Sequence, residues 1–188
     1  MTFEEKTLSS TRIYEGAILN LRKDEVTVRT GRSYREIIEH NGGAAIAALT
    51  DDNRIIMVKQ YRKAAKKVML EVPAGKRDGA ESGEEVARRE LREETGFTAE
   101  RLIHLTDMFP TPGYSEEKLS IFLAEGLTAG ETEFDDNEAI DILTYPLEEM
   151  VGMVMKGEID DAKTMVAILM ADRYVRERQT GGNENAAV

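Results

Sequence analysis

Residues Gly75 to Phe97 read GKRDGAESGEEVARRELREETGF, which places six glutamates, four arginines and one lysine in a single stretch. The stretch divides in two. Residues 75–83 predict a loop, with three glycines, the pair Asp78-Gly79 and no apolar run. Glu84 to Thr95 predicts a helix: glycine and proline are absent, strong helix formers dominate, and Gly96 stands where a C-cap belongs. Ser82 is the candidate N-cap, and Glu85, three residues on, completes a capping box.

A helical wheel at about 100° per residue sorts the charges into two sets. Glu84, Glu85, Arg88 and Arg92 gather on one side, and Val86, Ala87 and Leu91 on the other. Glu90, Glu93 and Glu94 fall among the apolar set. Carboxylates buried there without partners would cost several kcal/mol each or be driven to protonate. Two readings follow from the wheel: a solvated helix laced with pairs such as Glu85–Arg89 and Arg89–Glu93, or a carboxylate cluster for a hard divalent cation such as Mg²⁺ or Mn²⁺.

The order Gly75, five residues, Glu81, seven residues, Arg89-Glu90-Leu91, one residue, Glu93-Glu94, one residue, Gly96-Phe97 resembles the Nudix box of the Nudix hydrolases at every defining position. A fixed frame of this length is a far more specific signal than a lone glycine pattern. The resemblance implies an enzyme that hydrolyses a nucleoside diphosphate linked to another group, with divalent metals. It implies Glu90, Glu93, Glu94 and the carbonyl of Ala74 as metal ligands, and Arg89 as the residue that orients the glutamates through salt bridges. The fold it implies is α/β, an α/β/α sandwich around a mixed sheet.

Composition sets the wider bounds. The 188 residues suit one main domain, and 41% hydrophobic with 32% charged residues is ordinary for a globular protein. A net charge of −11 argues against a nucleic-acid backbone or an anionic membrane as partner. An anionic small substrate would then need a local basic or metal-bearing site. No cysteine is present, which excludes disulfides and thiol catalysis and fits a cytoplasmic location. MTFEEKTLSS has no signal-peptide apolar core, and no apolar run approaches membrane-spanning length.

Residues 7–39 predict β structure, with a hairpin turn at Thr30-Gly31-Arg32. These strands are thin in core residues, and a small isolated sheet is marginal, so the segment must pack on the main domain or on another subunit. It resembles the N-terminal β-domain of the ADP-ribose pyrophosphatase branch of the family. That resemblance implies a homodimer and a nucleotide contact from Arg35-Glu36, residues that otherwise read as an exposed strand ion pair.

Gly43–Leu49 and Arg54–Gln60 predict core strands joined by a turn at Asp51-Asp52-Asn53. Val68–Pro73, VMLEVP, predicts the strand that leads into the box. Arg62 is a candidate phosphate clamp, because a guanidinium offers a fork of donors to oxyanions, and the branch resemblance implies the same. Beyond the helix, Leu102–Met108 and Leu119–Ala124 predict strands, with a stiff Pro-Gly loop between them. Within that loop the resemblance implies substrate roles for Pro112 and Glu117; Tyr114 is either a stacking residue or a packed one. Glu131–Glu138 is a second acidic run. Alone it reads as a solvated loop, but the resemblance implies a carboxylate here that binds metal or activates water, with Glu138 the best match and Asp136 second. Leu147–Lys156 and Asp161–Arg178 predict helices with Gly157-Glu158-Ile159-Asp160 between them, and the resemblance implies a structural role for the GEIDDAKT segment that runs from there into the second helix. His40 and His104 lie outside the motif and are expected not to be catalytic.

The organisation expected is therefore a β subdomain over residues 1–41, a hydrolase domain over 42–180 and a disordered tail over 181–188. The reaction expected is Mg²⁺-dependent hydrolysis of ADP-ribose to AMP and ribose 5-phosphate. Glu138, Asp136 or Glu93 would take the proton. The rival readings are a hydrolase of another nucleoside diphosphate sugar, such as GDP-mannose, and a sensor that binds ADP-ribose without cleaving it.

Overall fold

The computed structural model describes residues 3–133 and 139–184, the last four through their backbone alone. Strand β4 (Gly43–Leu49) lies at the centre of the larger sheet and is buried at every position. Successive side chains of a strand point to opposite faces, so its apolar run serves two cores. Ala45, Ala47 and Leu49 face one, and Ala44, Ile46 and Ala48 face the other. This is why β4 shows no alternation of polar and apolar residues: both faces of the sheet are covered.

Seven strands make the larger sheet. Its main path runs β10 (Ile140–Pro146), β5 (Arg54–Arg62), β4, β9 (Leu119–Ala129), β8 (Phe97–Met108). The short strands β6 (Lys67–Glu71) and β7 (Ala74–Lys76) pair with β5 and β4. The β4–β9 pair is parallel and the others are antiparallel, which makes the sheet mixed. Helix α1 (Gly83–Thr95) covers one face through Val86, Ala87 and Leu91. Helices α2 (Leu147–Met155) and α3 (Ala162–Glu184) cover the other through Leu147, Met150, Ala167, Ile168, Ala171 and Val175. The expected α/β/α layering is thus present.

Three details differ from the sequence reading. Gly75 and Lys76, expected as loop, form β7 together with Ala74, because their backbone hydrogen-bonds to the start of β4. The hairpin expected at Thr30-Gly31-Arg32 turns at Arg29-Thr30, one residue earlier, since Val28 pairs with Gly31. Helix α3 runs past Arg178 to Glu184, so the first four residues of the expected tail are helical; residues 185–188 lie outside the described chain.

Strands β1 (Thr7–Glu15), β2 (Asn20–Val28) and β3 (Gly31–Glu39) form a separate antiparallel sheet. Every residue of β1 is exposed. The sheet is tied to the main domain along β3: Ile38 N–H donates to Tyr114 O and Ile38 O accepts from Glu116 N–H, at 2.8 and 2.9 Å. Arg22 reinforces this tie by bonding Glu39 and Glu116, at 2.8 and 2.6 Å.

Candidate active site

Both ends of α1 are fixed locally. Ser82 Oγ accepts from Glu85 N–H at 3.2 Å, and Glu85 Oε2 accepts from Ser82 N–H at 2.7 Å, completing the capping box. Gly96 ends the helix in the left-handed region at φ 73°, with its N–H on Arg92 O. With the helix so bounded, burial of Val86, Ala87 and Leu91 sets its rotation. That rotation leaves Glu84, Glu85, Arg88 and Arg92 exposed and turns Glu90, Glu93 and Glu94 toward a cleft.

The cleft has a volume of about 360 Å³ and is lined by these three glutamates, Arg89, Glu133, Arg62, Gln60, Asp78, residues 74–76 and Ile18. Arg89 is the organising cation. Its Nε and Nη2 bond the two oxygens of Glu81 at 3.0 and 3.1 Å, and Nη1 bonds Glu90 at 2.6 Å and Glu93 at 3.1 Å. Nη2 also donates to Lys76 O at 3.0 Å. The Glu81 bond, with Glu90 and Glu93, holds the Arg89 guanidinium more firmly protonated than usual, although burial works against it. Arg89 in turn draws Glu81 below the ordinary carboxylate range, helped by the Asp78 N–H.

Glu94 is nearly fully buried, and its Oε2 accepts from Ala74 N–H at 2.9 Å. Glu90 lies directly against Gly75. The cleft thus brings Ala74, Glu90, Glu93 and Glu94 together. Hard oxygen donors clustered in this way suit a hard divalent cation. As placed, Glu90 and Glu93 turn to Arg89 and Glu94 to the Ala74 amide. Among the described residues no three acidic or histidine side chains converge on one point. Binding a cation would therefore exchange these bonds for metal–oxygen ones.

A second cleft of about 220 Å³ adjoins the first and shares Arg62, Ala74, Gly75 and Lys76 with it. His40, Glu117 and Lys163 complete its polar lining. Arg62, expected at a phosphate, bonds Glu71 side-on at 2.7 and 2.8 Å while bordering both clefts. Glu117 borders the second cleft, with Oε1 3.9 Å from His40 Nδ1.

Other expected residues lie elsewhere within this chain. Arg35 bonds Glu5 at 2.8 and 2.5 Å and Glu36 is exposed, and neither borders a cleft. Pro112 and Tyr114 are exposed in a turn beside β3. His104 sits on β8 against Asp107, with 3.0 Å between Nε2 and Oδ1. Asp136 and Glu138 lie outside the described residues.

Two features escaped sequence reading. Glu133, in the second acidic run, borders the carboxylate cleft; its N–H bonds Glu93 O at 3.0 Å, and its side chain pairs with Arg92. Glu71, the one charge in VMLEVP, is buried between Arg62 and Lys163. A lone acid within an apolar strand was the available signal for it.

Comparison with known proteins yields consistent similarities. The sequence profile of the NUDIX domain matches residues 40–168. The chain is 40% identical over 170 residues to the ADP-ribose pyrophosphatase of Bacillus subtilis, spanning 89% of this chain and 92% of the relative. It is 37% identical to the methanol dehydrogenase activator of Bacillus methanolicus, across 88% and 91% of the two chains. It is 38% identical to the ADP-ribose pyrophosphatase of Mycobacterium tuberculosis, across 87% and 81%. A crystal structure of an ADP compounds hydrolase superposes with a TM-score of 0.83 over 95% of this chain and 97% of the other, at 22% identity, a likeness of fold.

Proposed function

The chain belongs to the NUDIX domain family, whose hydrolases generally require a divalent metal, and from that premise we propose that it hydrolyses the pyrophosphate bond of ADP-ribose. Water adds to one phosphorus, the bridging P–O bond breaks, and AMP and ribose 5-phosphate leave. The observation that carries this reading is the gathering of Glu90, Glu93 and Glu94 on one cleft beside Arg62 and Arg89.

A pyrophosphate resists attack because its own oxygens repel an incoming nucleophile. A divalent cation, Mg²⁺ with Mn²⁺ as substitute, would supply charge neutralisation and would lower the pKa of a water bound to it. Glu90, Glu93, Glu94 and the carbonyl of Ala74 are the groups that would hold it. Arg89 holds Glu90 and Glu93 at the cleft wall, and the cation would take over the oxygens that Arg89 and the Ala74 amide now engage. Arg62, which lines the same cleft, would supply a guanidinium to the phosphates. A carboxylate takes the proton of the attacking water: Glu93 from the cleft, or Glu138 or Asp136 from the second acidic run.

Residues 1–41 act as a subdomain appended to a hydrolase domain over 42–180. The exposed β1, with Leu8, Ile13 and Tyr14 uncovered, supports a homodimer in which Arg35-Glu36, Pro112 and Glu117 meet the substrate of one site or its mate. Sedimentation at working concentration tests this, and a monodisperse monomer would refute it. Among the described residues no helix is long and apolar enough to cross a membrane; a cytoplasmic enzyme, without nucleic-acid or membrane partners, is the location proposed.

The test of the main reading is product analysis with ADP-ribose and GDP-mannose, with Mg²⁺ and with EDTA. Release of AMP and ribose 5-phosphate from ADP-ribose, only with metal, is expected. Preference for GDP-mannose would keep the chemistry and discard the substrate. Binding of ADP-ribose without turnover would mark a sensor.

A further inference from the structure

The second cleft has a wall whose charges are layered. Arg62 and Lys163 border the cleft, whereas Glu71 and Asp161, the carboxylates they bond, do not. Glu71 is 1% exposed and takes three donors: Arg62 Nε and Nη2 at 2.7 and 2.8 Å, and Lys163 Nζ at 2.5 Å. Lys163 Nζ also reaches Asp161 Oδ2 at 2.9 Å. That oxygen is held by the N–H and hydroxyl of Thr164, at 3.0 and 2.6 Å, and Thr164 Oγ1 accepts from Val72 N–H at 3.0 Å. The first turn of α3 is thereby stitched to the end of β6, and Lys163 has little freedom to turn away.

We infer that Lys163 is a further substrate-binding cation of this site, and that buried Glu71 is a positioning residue that aims Lys163 and Arg62 at the shared mouth of the two clefts. The inference rests on the pyrophosphatase reading above.

Three considerations carry it. First, a chain of net charge −11 whose site gathers three glutamates must offer fixed positive charge to a diphosphate. Arg62 lines both the carboxylate cleft and the second one, and Lys163 lines the second, bonded to the same Glu71. Second, if α3 needed only a pin, apolar residues of similar volume would hold it as well or better, because two cations and an acid pay desolvation that their attraction barely repays. Third, the two cations divide the task. Arg62 spends two nitrogens on Glu71 in a rigid side-on pair, while the ammonium of Lys163 is a compact charge with three donors, held in place by its bonds to Glu71 and Asp161. The GEIDDAKT segment, read from sequence as structural, thus also contributes to ligand binding through its lysine.

The experiment is steady-state hydrolysis of ADP-ribose with Mg²⁺ by the full chain and the variants Lys163→Met, Lys163→Arg and Glu71→Gln, with melting temperatures alongside. Lys163→Met is expected to raise KM about tenfold with a smaller change in kcat, and to weaken the salt dependence of kcat/KM. Lys163→Arg should restore most of the loss. Glu71→Gln should raise KM and lower kcat together, since both cations lose their aim. A Lys163→Met enzyme with wild-type KM and salt dependence, at whatever melting temperature, would reduce Lys163 to a pin and overturn the inference. If Glu71→Gln does not fold, the two Lys163 variants still decide. Should the wild type hydrolyse no ADP-ribose, the pyrophosphatase reading fails separately. Calorimetric titration with ADP-ribose then replaces KM: tenfold weaker binding by Lys163→Met upholds the cation, and equal binding overturns it.

Discussion

The carboxylate of Glu90 occupies the space that a side chain on Gly75 would need: a Cβ there would lie 1.8 Å from Oε1 and 1.9 Å from Cδ. The glycine is required by this close approach rather than by an unusual backbone angle. Glu90 is a flexible side chain whose far end can swing aside, so Gly75→Ala should displace the carboxylate without unfolding the chain. We expect a melting temperature within a few degrees of wild type and a loss of activity of roughly tenfold or more, because a displacement of about 1 Å in a positioning group has consequences of that order. Unchanged turnover would show that Glu90 need not lie where the structure places it.

Glu94→Gln probes the metal set. Glutamine keeps an oxygen for the Ala74 N–H, so the local fold is retained while the charge is removed. Manganese affinity, read by titration calorimetry, should fall at least as far as the roughly 10–100-fold typical of disturbed metal surroundings, and hydrolysis with it. An enzyme that hydrolyses normally would remove Glu94 from the ligands.

Arg89→Lys removes the fork that reaches Glu81, Glu90, Glu93 and the Lys76 carbonyl. A lysine cannot span those partners. The loss should be about 2 kcal/mol, the value of charge-assisted bonds in a partly buried setting. For a chain of this size that lowers the melting temperature by roughly 4–8 °C. Activity should fall more steeply, since Glu90 and Glu93 lose their orientation. A scanning calorimetry trace that overlays the wild type would contradict this.

Glu71 makes a prediction about acid stability. Burial alone would raise its pKa, but the bonds and charges of Arg62 and Lys163 outweigh burial and hold it below the ordinary glutamate value of 4.5. Its contribution is therefore complete above pH 4.5 and is lost as pH falls toward the folded-state pKa, because the unfolded chain takes the proton first. Between pH 6 and pH 3 the wild type should lose more melting temperature than Glu71→Gln. Parallel curves for the two would deny the coupling.

Ser82→Ala should cost about 1 kcal/mol, the usual value of an N-cap. Urea unfolding would detect it as a lower midpoint with an unchanged slope. No shift would mean that packing alone holds the first turn of α1.

The sequence by itself determined the helix with its caps, the apolar stripe that turns it, the strands of the central sheet and the identity of the box glutamates. Those features are local: capping and helical periodicity act over a few residues and leave their signature in spacing. Tertiary structure decided that Ala74 to Lys76 is a strand, because only pairing with β4 satisfies its backbone. It also decided that Arg62 and Lys163 both bond Glu71, residues brought together from β5, β6 and α3, up to 101 positions apart in sequence, so no short window could show their partnership. The same holds for the Pro112 turn, whose place beside β3 is set by the pairing of Ile38 with Ser115. Carboxylates announce a charged site from spacing alone. Which cation answers each of them is a matter of distance, and distance is settled when the sheet and helices pack.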